Sequence, residues 1–316
     1  MVSTSSYKYI NLLFRITLGI GAVIYIYFKL KDEWLIALNK VKLSEVNVGL
    51  LFIAFLLVFI NWGMEALKWK YAIHNSVKIS FFKAFKFTLT GITAGLLTPN
   101  RVGEIPFRAL MLGKNKFKEV TLKTILSSYS QALVTVIIGT VGLLFMQDLF
   151  IFKIDVKIIC AVLVLCCVFM LLLYFKVGGF ISLLEKIKYF KNKQIGEAIN
   201  SFSEQSLVII LFFSLIRYMV FSIQYYIILN AFNIEFSTAS TILLIPVCFM
   251  LASIIPTILI SEIAVRASVA IFVFGIISDL DVSIMAASIT LWGLNVAFPA
   301  LLGMFNLQQI KILSAS

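Results

Sequence analysis

Residues 94–113 read Ala-Gly-Leu-Leu-Thr-Pro-Asn-Arg-Val-Gly-Glu-Ile-Pro-Phe-Arg-Ala-Leu-Met-Leu-Gly, which sets Pro99, Arg101, Glu104 and Arg108 inside an otherwise apolar run. Residues 251–270 repeat the arrangement: Gly103-Glu104-Ile-x-x-Arg108-Ala is echoed by Ser261-Glu262-Ile-x-x-Arg266-Ala, and Pro99 and Pro256 stand five and six residues ahead of their glutamates. The two glutamates are 158 residues apart in a chain of 316, so the pattern marks a duplicated unit of half the length. Proline breaks a helix, and a small residue followed by a carboxylate suits the first turn of the next one, where Ser261 can cap. Each copy therefore predicts two short helices with a break between them. Broken helices at matching positions of two halves point to a transporter binding site near the bilayer midplane.

Hydrophobic residues make up 61% of the chain and charged residues 13%, a balance that excludes an ordinary soluble domain and predicts a polytopic membrane protein. The first apolar span follows a short polar opening without a small-x-small cleavage pattern, so we expect a retained helix rather than a signal peptide. The formal charge of +12 could suit nucleic acid, but the lysines gather in short loops between spans, where they set orientation; no nucleic-acid partner is expected. Cys160, Cys166, Cys167 and Cys248 all fall in apolar runs and read as reduced packing residues. With His74 as the single histidine, no metal or other cofactor is expected.

Taken in order, apolar spans are expected at about Ile10–Leu30, Val46–Trp69, Leu122–Met146, Ile158–Phe175, Ser206–Phe232 and Val282–Asn306, with broken-helix hairpins at about 81–113 and 237–277. Lysines flank both mouths of the first hairpin, Lys83 and Lys86 before it and Lys114 to Lys118 after it, so that segment enters and leaves on one side. Placing the lysine-rich loops inside, in an inner (cytoplasmic) membrane, puts both termini in the cytoplasm. The fold class expected is an all-α polytopic membrane protein. It forms one membrane domain of two repeats, about 1–150 and 151–316, each with three spans and one re-entrant hairpin. Three crossings per half turn the second repeat upside down, an inverted repeat with the hairpin tips meeting from opposite faces.

Charges at bilayer depth are expensive, about 2.5 to 3.5 kcal/mol each on insertion scales, so each needs a reason. Glu104 with Arg108, and Glu262 with Arg266, stand four apart in the favourable order on a helix and could simply neutralise themselves. Arg101 and Arg217 are then the surplus, provided that Glu65 is wet. Together with the helix starts at about 102 and 261 they favour an anion, and the planar guanidinium fork suits phosphate. The six residues expected to bind substrate are Arg101, Glu104, Arg108, Arg217, Glu262 and Arg266. Supporting positions are Asn61 and Glu65 on one face of the second span, Gln131 on the third, Gln224 seven residues after Arg217, and Pro99, Gly103, Pro256 and Ser261 at the breaks. Nothing in the sequence suggests a nucleotide loop, so the expected function is translocation of an anionic lipid or lipid-linked intermediate without ATP hydrolysis, with a membrane lipid as partner. The alternatives are a secondary transporter of a small soluble anion and a membrane enzyme using Glu104 or Glu262 as base on a lipid or prenyl phosphate.

Asn61-Trp62 through Lys68-Trp69-Lys70, Pro99-Asn-Arg-Val-Gly-Glu104 with Arg108, and Ser261-Glu262-Ile-x-x-Arg266 together resemble the lysylphosphatidylglycerol synthase transmembrane family, also called flippase-like domain proteins. The likeness covers nearly the whole chain, and is to the membrane domain without the aminoacyl-transferase domain. It implies an inner-membrane domain of the kind that, in multiple peptide resistance factors, carries aminoacylated phosphatidylglycerol to the outer leaflet. The second copy has Ser261 in place of Gly103 and no counterpart of Arg101, so the two tips are expected to bind differently.

Overall fold

The computed structural model describes residues 46–96, 98, 101–150, 155–179, 202–234, 238–255, 257 and 262–307. The first expected span, the basic loop after Lys176, Pro99, Pro256 and Ser261 lie outside them. Isolated polar residues start the helices. Asn47 accepts a hydrogen bond from the Leu50 amide at 3.1 Å and opens α1 (Val48–Ile73). Ser80 accepts from Lys83 N at 3.3 Å and opens α2 (Phe81–Gly95). Asp155 and Ser203 do the same for α5 (Val156–Phe175) and α6 (Glu204–Ala231). Each satisfies an amide that the first turn would leave unpaired. The others are α3 (Glu104–Leu110), α4 (Phe117–Met146), α7 (Thr238–Ile254), α8 (Glu262–Phe274), α9 (Asp281–Trp292) and α10 (Phe298–Leu307), and all the regular structure among the described residues is helical.

Thr98 builds the first break. Its hydroxyl donates to the Gly95 carbonyl at 2.9 Å and accepts from the Gly103 amide at 2.8 Å, tying the end of α2 to the start of α3. Between them Arg101 takes the left-handed conformation, φ 56°. That costs a non-glycine residue on the order of 1–2 kcal/mol and is kept where function needs it. The chain then folds back: Gly91 and Gly95, one turn apart on α2, leave the room that Arg108, Glu104 and Arg101 occupy.

Helices keep the same order in the two halves, and their packing is reciprocal. The long helices α1 and α6 pack on each other. Helix α7 of the second half lies on α4 of the first, and α2 of the first half lies on α10 of the second. The shorter helices α3 and α8 pack on the helices that follow them, α4 and α9. Glycine makes both cross-half contacts close. A side chain on Gly139 or Gly142 would run into the backbone of α7 at Pro246 and Leu243, and one on Gly303 into the Leu89 carbonyl, beside the 2.7 Å hydrogen bond from Thr93 to the Ala300 carbonyl. Small residues do this work inside membranes because apolar side chains gain little by leaving lipid.

A single apolar core joins both halves, from Ala54, Val58 and Trp62 through Leu244, Val247 and Met250 to Val273 and Trp292. Outside it stand exposed apolar residues such as Phe52, Phe59, Leu165, Phe169, Phe212 and Ile223, far more than a water-soluble surface carries. Among the described residues five helical segments are long and apolar enough to cross a membrane: Val48–Ile73, Lys114–Leu149, Val156–Phe175, Glu204–Ala231 and Asp281–Asn306. They correspond to the five expected spans that fall on described residues. The first and second of these run past their expected ends, because Lys70 and Lys118 end an apolar run without ending a helix. The last is interrupted by a π-helical turn at Gly293–Ala297. Pro299 has no N–H to offer the Asn295 carbonyl and its ring would strike it, which widens the turn.

Gly303→Leu is expected to cost about 1–3 kcal/mol by overpacking the α2–α10 contact. Gly293→Ala, where an added Cβ meets nothing within 4 Å, should be neutral. Thermal melts of the two detergent-purified variants test the difference.

Candidate functional site

One face of α1 carries Asn61, Trp62, Glu65, Lys68 and Trp69, and all five are buried. The Trp69 indole donates to Thr124 Oγ1 at 2.9 Å, which fixes α1 on α4. Glu65 is not wet, as the charge count from the sequence required. It lies in the protein, ion-paired with Lys68 Nζ at 2.9 Å, Arg108 Nη1 at 3.0 Å and Arg217 Nη1 at 3.1 Å. Arg108 also pairs with Glu104 and lies over the Trp69 ring. Arg217 in turn donates to Asn61 Oδ1 at 3.1 Å and Gln131 Oε1 at 3.3 Å, with its guanidinium 5.0 Å from the centre of the Trp62 ring.

Amides continue the network into the second half. Asn61 donates to Asn295 at 2.8 Å, Asn295 to Gln224 Oε1 at 2.8 Å, and Gln224 to the Ala54 carbonyl at 2.8 Å. The chain of bonds runs from α1 through the π-helical turn to α6 and back to α1. Buried amides left unpaired would each cost about 1–3 kcal/mol, so this closed circuit holds the three elements in register.

At the second break Arg266 directs Nε and Nη2 to Glu262 Oε1, both at 3.1 Å. Arg101 reaches the same oxygen from the first break, Nε at 3.9 Å. The two breaks are thus linked through one carboxylate.

Between these groups lies a cavity of about 230 Å³. Arg101, Arg217 and Arg266 line it, together with Asn61, Gln131, Ser253, Ser288 and Asn295 and the aromatic rings of Trp62, Tyr218, Phe221, Tyr225, Phe249 and Trp292. Phe249 is stacked with Phe221 and Tyr225, at 4.7 and 5.6 Å between ring centres. Among the described residues no carboxylate lines it. Glu65 and Glu262 hold the arginines from behind. The side chains of Arg101, Arg217 and Arg266 are 25%, 19% and 32% exposed, against 3% for Arg108, which separates the arginines that a ligand can touch from the one it cannot.

The structure therefore brings together Arg101, Arg217 and Arg266, as expected of a shared site, with Asn61 and Gln131 beside them. Glu104, Arg108, Glu65 and Glu262 do not line the cavity, and Gln224 is buried behind Asn295. Arg101 and Arg217 are not a free surplus, because each faces a carboxylate. Lys68, at the closing end of the second expected span, is buried against Glu65. Gly103 serves the break itself, where a side chain would strike Thr98. Sequence reasoning gave no site role to Thr98, Trp62 or Tyr225. It also missed Phe249 and the stripe Ser288, Leu291, Trp292 and Asn295. Their spacing of three, four and seven is a readable signal for one helix face pointing inward.

Fold and cavity define a multi-pass helical membrane protein with a cationic, aromatic-lined chamber between two helix breaks. The sequence matches the profile of the lysylphosphatidylglycerol synthase TM region over residues 13–303, and the chain belongs to that family. A comparison with curated proteins finds no match.

Glu65→Gln leaves two buried arginines and a lysine without their shared counter-charge, and is expected to cost about 3–5 kcal/mol. Lys116→Gln, half-exposed at the start of α4 and paired with Glu119 at 3.1 Å, should cost about 1 kcal/mol or less. Comparison of the two variants' melting temperatures and monodisperse yields checks the ranking.

Proposed function

We propose that the protein moves an anionic phospholipid or lipid-linked intermediate across the inner membrane without hydrolysing ATP. The observation that carries this reading is the cavity wall, which presents three guanidinium groups and no carboxylate among its described residues. Guanidinium groups pair with phosphate oxygens in a fork, and within a chamber shielded from water such bonds are strong. The apolar rings beside them suit the part of a headgroup that passes from one leaflet towards the other.

In this reading the two hairpins are re-entrant and the two halves form an inverted repeat. Three crossings and one hairpin in each half reverse its direction, and the reciprocal packing of α2 on α10 and α7 on α4 agrees with that. Both termini then face the cytoplasm, where the lysine-rich loops belong. The Arg101–Glu262 link between the two breaks is the contact that rocking of the halves makes and loosens. The chain acts as a carrier rather than an enzyme: Glu104 and Glu262, the bases that the enzyme reading would use, are each held by arginine.

Arg217→Gln and Arg266→Gln are each expected to slow transfer of a tail-labelled anionic lipid in proteoliposomes by about tenfold to a hundredfold, the loss of one charge-assisted hydrogen bond worth about 1.5–3 kcal/mol. Their melting temperatures should stay within a few degrees of the parent. Arg108→Gln should instead lower stability, because Arg108 is the buried partner of Glu65 and Glu104. Parental transfer rates in the Arg217→Gln, Arg266→Gln double variant are the result that this reading does not survive.

A further inference from the structure

The charges around the cavity narrow the headgroup. They form two clusters, one behind each side of the wall. In the first, Lys68, Arg108 and Arg217 meet Glu65 and Glu104. In the second, Arg101 and Arg266 meet Glu262. Among the described residues each cluster holds one cation more than it has carboxylates. A buried charge without a counter-charge is costly, so the complement of this site is an anion with two negative charges, one towards each cluster.

Unused donors agree with the count. Trp62 Nε1 and Arg101 Nη1 are buried, belong to residues that line the cavity, and have no acceptor among the described residues. Trp62 as a whole is 4% exposed, so its indole N–H has little access to bulk water. A terminal phosphate offers three unesterified oxygens, one for each of Arg101, Arg217 and Arg266. A phosphodiester offers two, and a single charge.

We propose that the cavity takes a doubly ionised phosphate, carried as the terminal phosphomonoester of a lipid, in preference to a singly charged phosphodiester headgroup. This rests on the translocation reading and goes further, to the class of lipid. The preference depends on pH through the ligand. The second proton of a phosphomonoester leaves near pH 6, so the dianion exists above that value, while below it monoester and diester carry the same charge. The titratable side chains that line the cavity are Arg101, Arg217, Arg266, Tyr218, Tyr225 and Cys248, all of types that ordinarily ionise above pH 8. Glu65, Glu104 and Glu262 behind the wall would act on both lipids alike.

The test uses the full chain in proteoliposomes with tail-labelled phosphatidic acid or phosphatidylglycerol, at pH 8 and pH 5, and reads transfer between leaflets above the protein-free rate. Phosphatidic acid is expected to move about fivefold or more faster at pH 8, with the ratio falling to about one at pH 5. A ratio of one or less at pH 8, or a ratio indifferent to pH, overturns the dianion preference and leaves translocation standing. Protein-free rates for both lipids overturn translocation and this inference together. Uptake of inorganic phosphate with neither lipid moving assigns the dianion to a soluble source and overturns the lipid headgroup.

Discussion

The Glu65 carboxylate is the point on which the architecture turns. It comes from α1, is buried, and meets cations from three directions: Lys68 from its own helix, Arg108 from the first hairpin and Arg217 from the second half. No one of these pairs would be worth much alone, since desolvation consumes most of what attraction returns. Together they make each charge a condition for burying the others. The hairpin arm α3, only seven residues long, owes its position to this contact and to Arg108 filling the space beside Gly91.

The same interaction explains how a strongly cationic chamber can exist inside an apolar protein. Carboxylates stand on the far side of the guanidinium groups, so the arginines are stabilised without their open edges being spent. Asn61, Gln131 and Trp62 then fix the plane of Arg217, and Asn61 is held in turn by Asn295 and Gln224. The π-helical turn that presents Asn295 follows from Pro299, four residues on. A local rule of backbone chemistry thus reaches the cavity wall through three side chains.

Much of the fold was legible in the sequence, because length, hydropathy and the two Glu-Ile-x-x-Arg segments are local signals. The helices at Phe81–Gly95 and Glu104–Leu110, and the long ones before and after them, came out within a few residues. The site was legible only in part. Arg101, Arg217 and Arg266 stood out because an arginine in an apolar run is rare. Their counter-charges did not: whether Glu65 is wet depends on which helix covers it, and that partner, α6, is about 150 residues away in the chain. Trp62, Phe249 and Trp292 resembled ordinary apolar residues, and nothing but tertiary placement separates a ring facing lipid from a ring facing a chamber.

Reciprocal packing bears on how the chain could be divided. Gly139 and Gly142 receive α7 from the other half of the chain, and Gly303 stands against α2, so each half covers a surface that the other cannot cover for itself. A fragment carrying one half alone would leave that groove bare, and two halves made as separate polypeptides could close it only by finding each other.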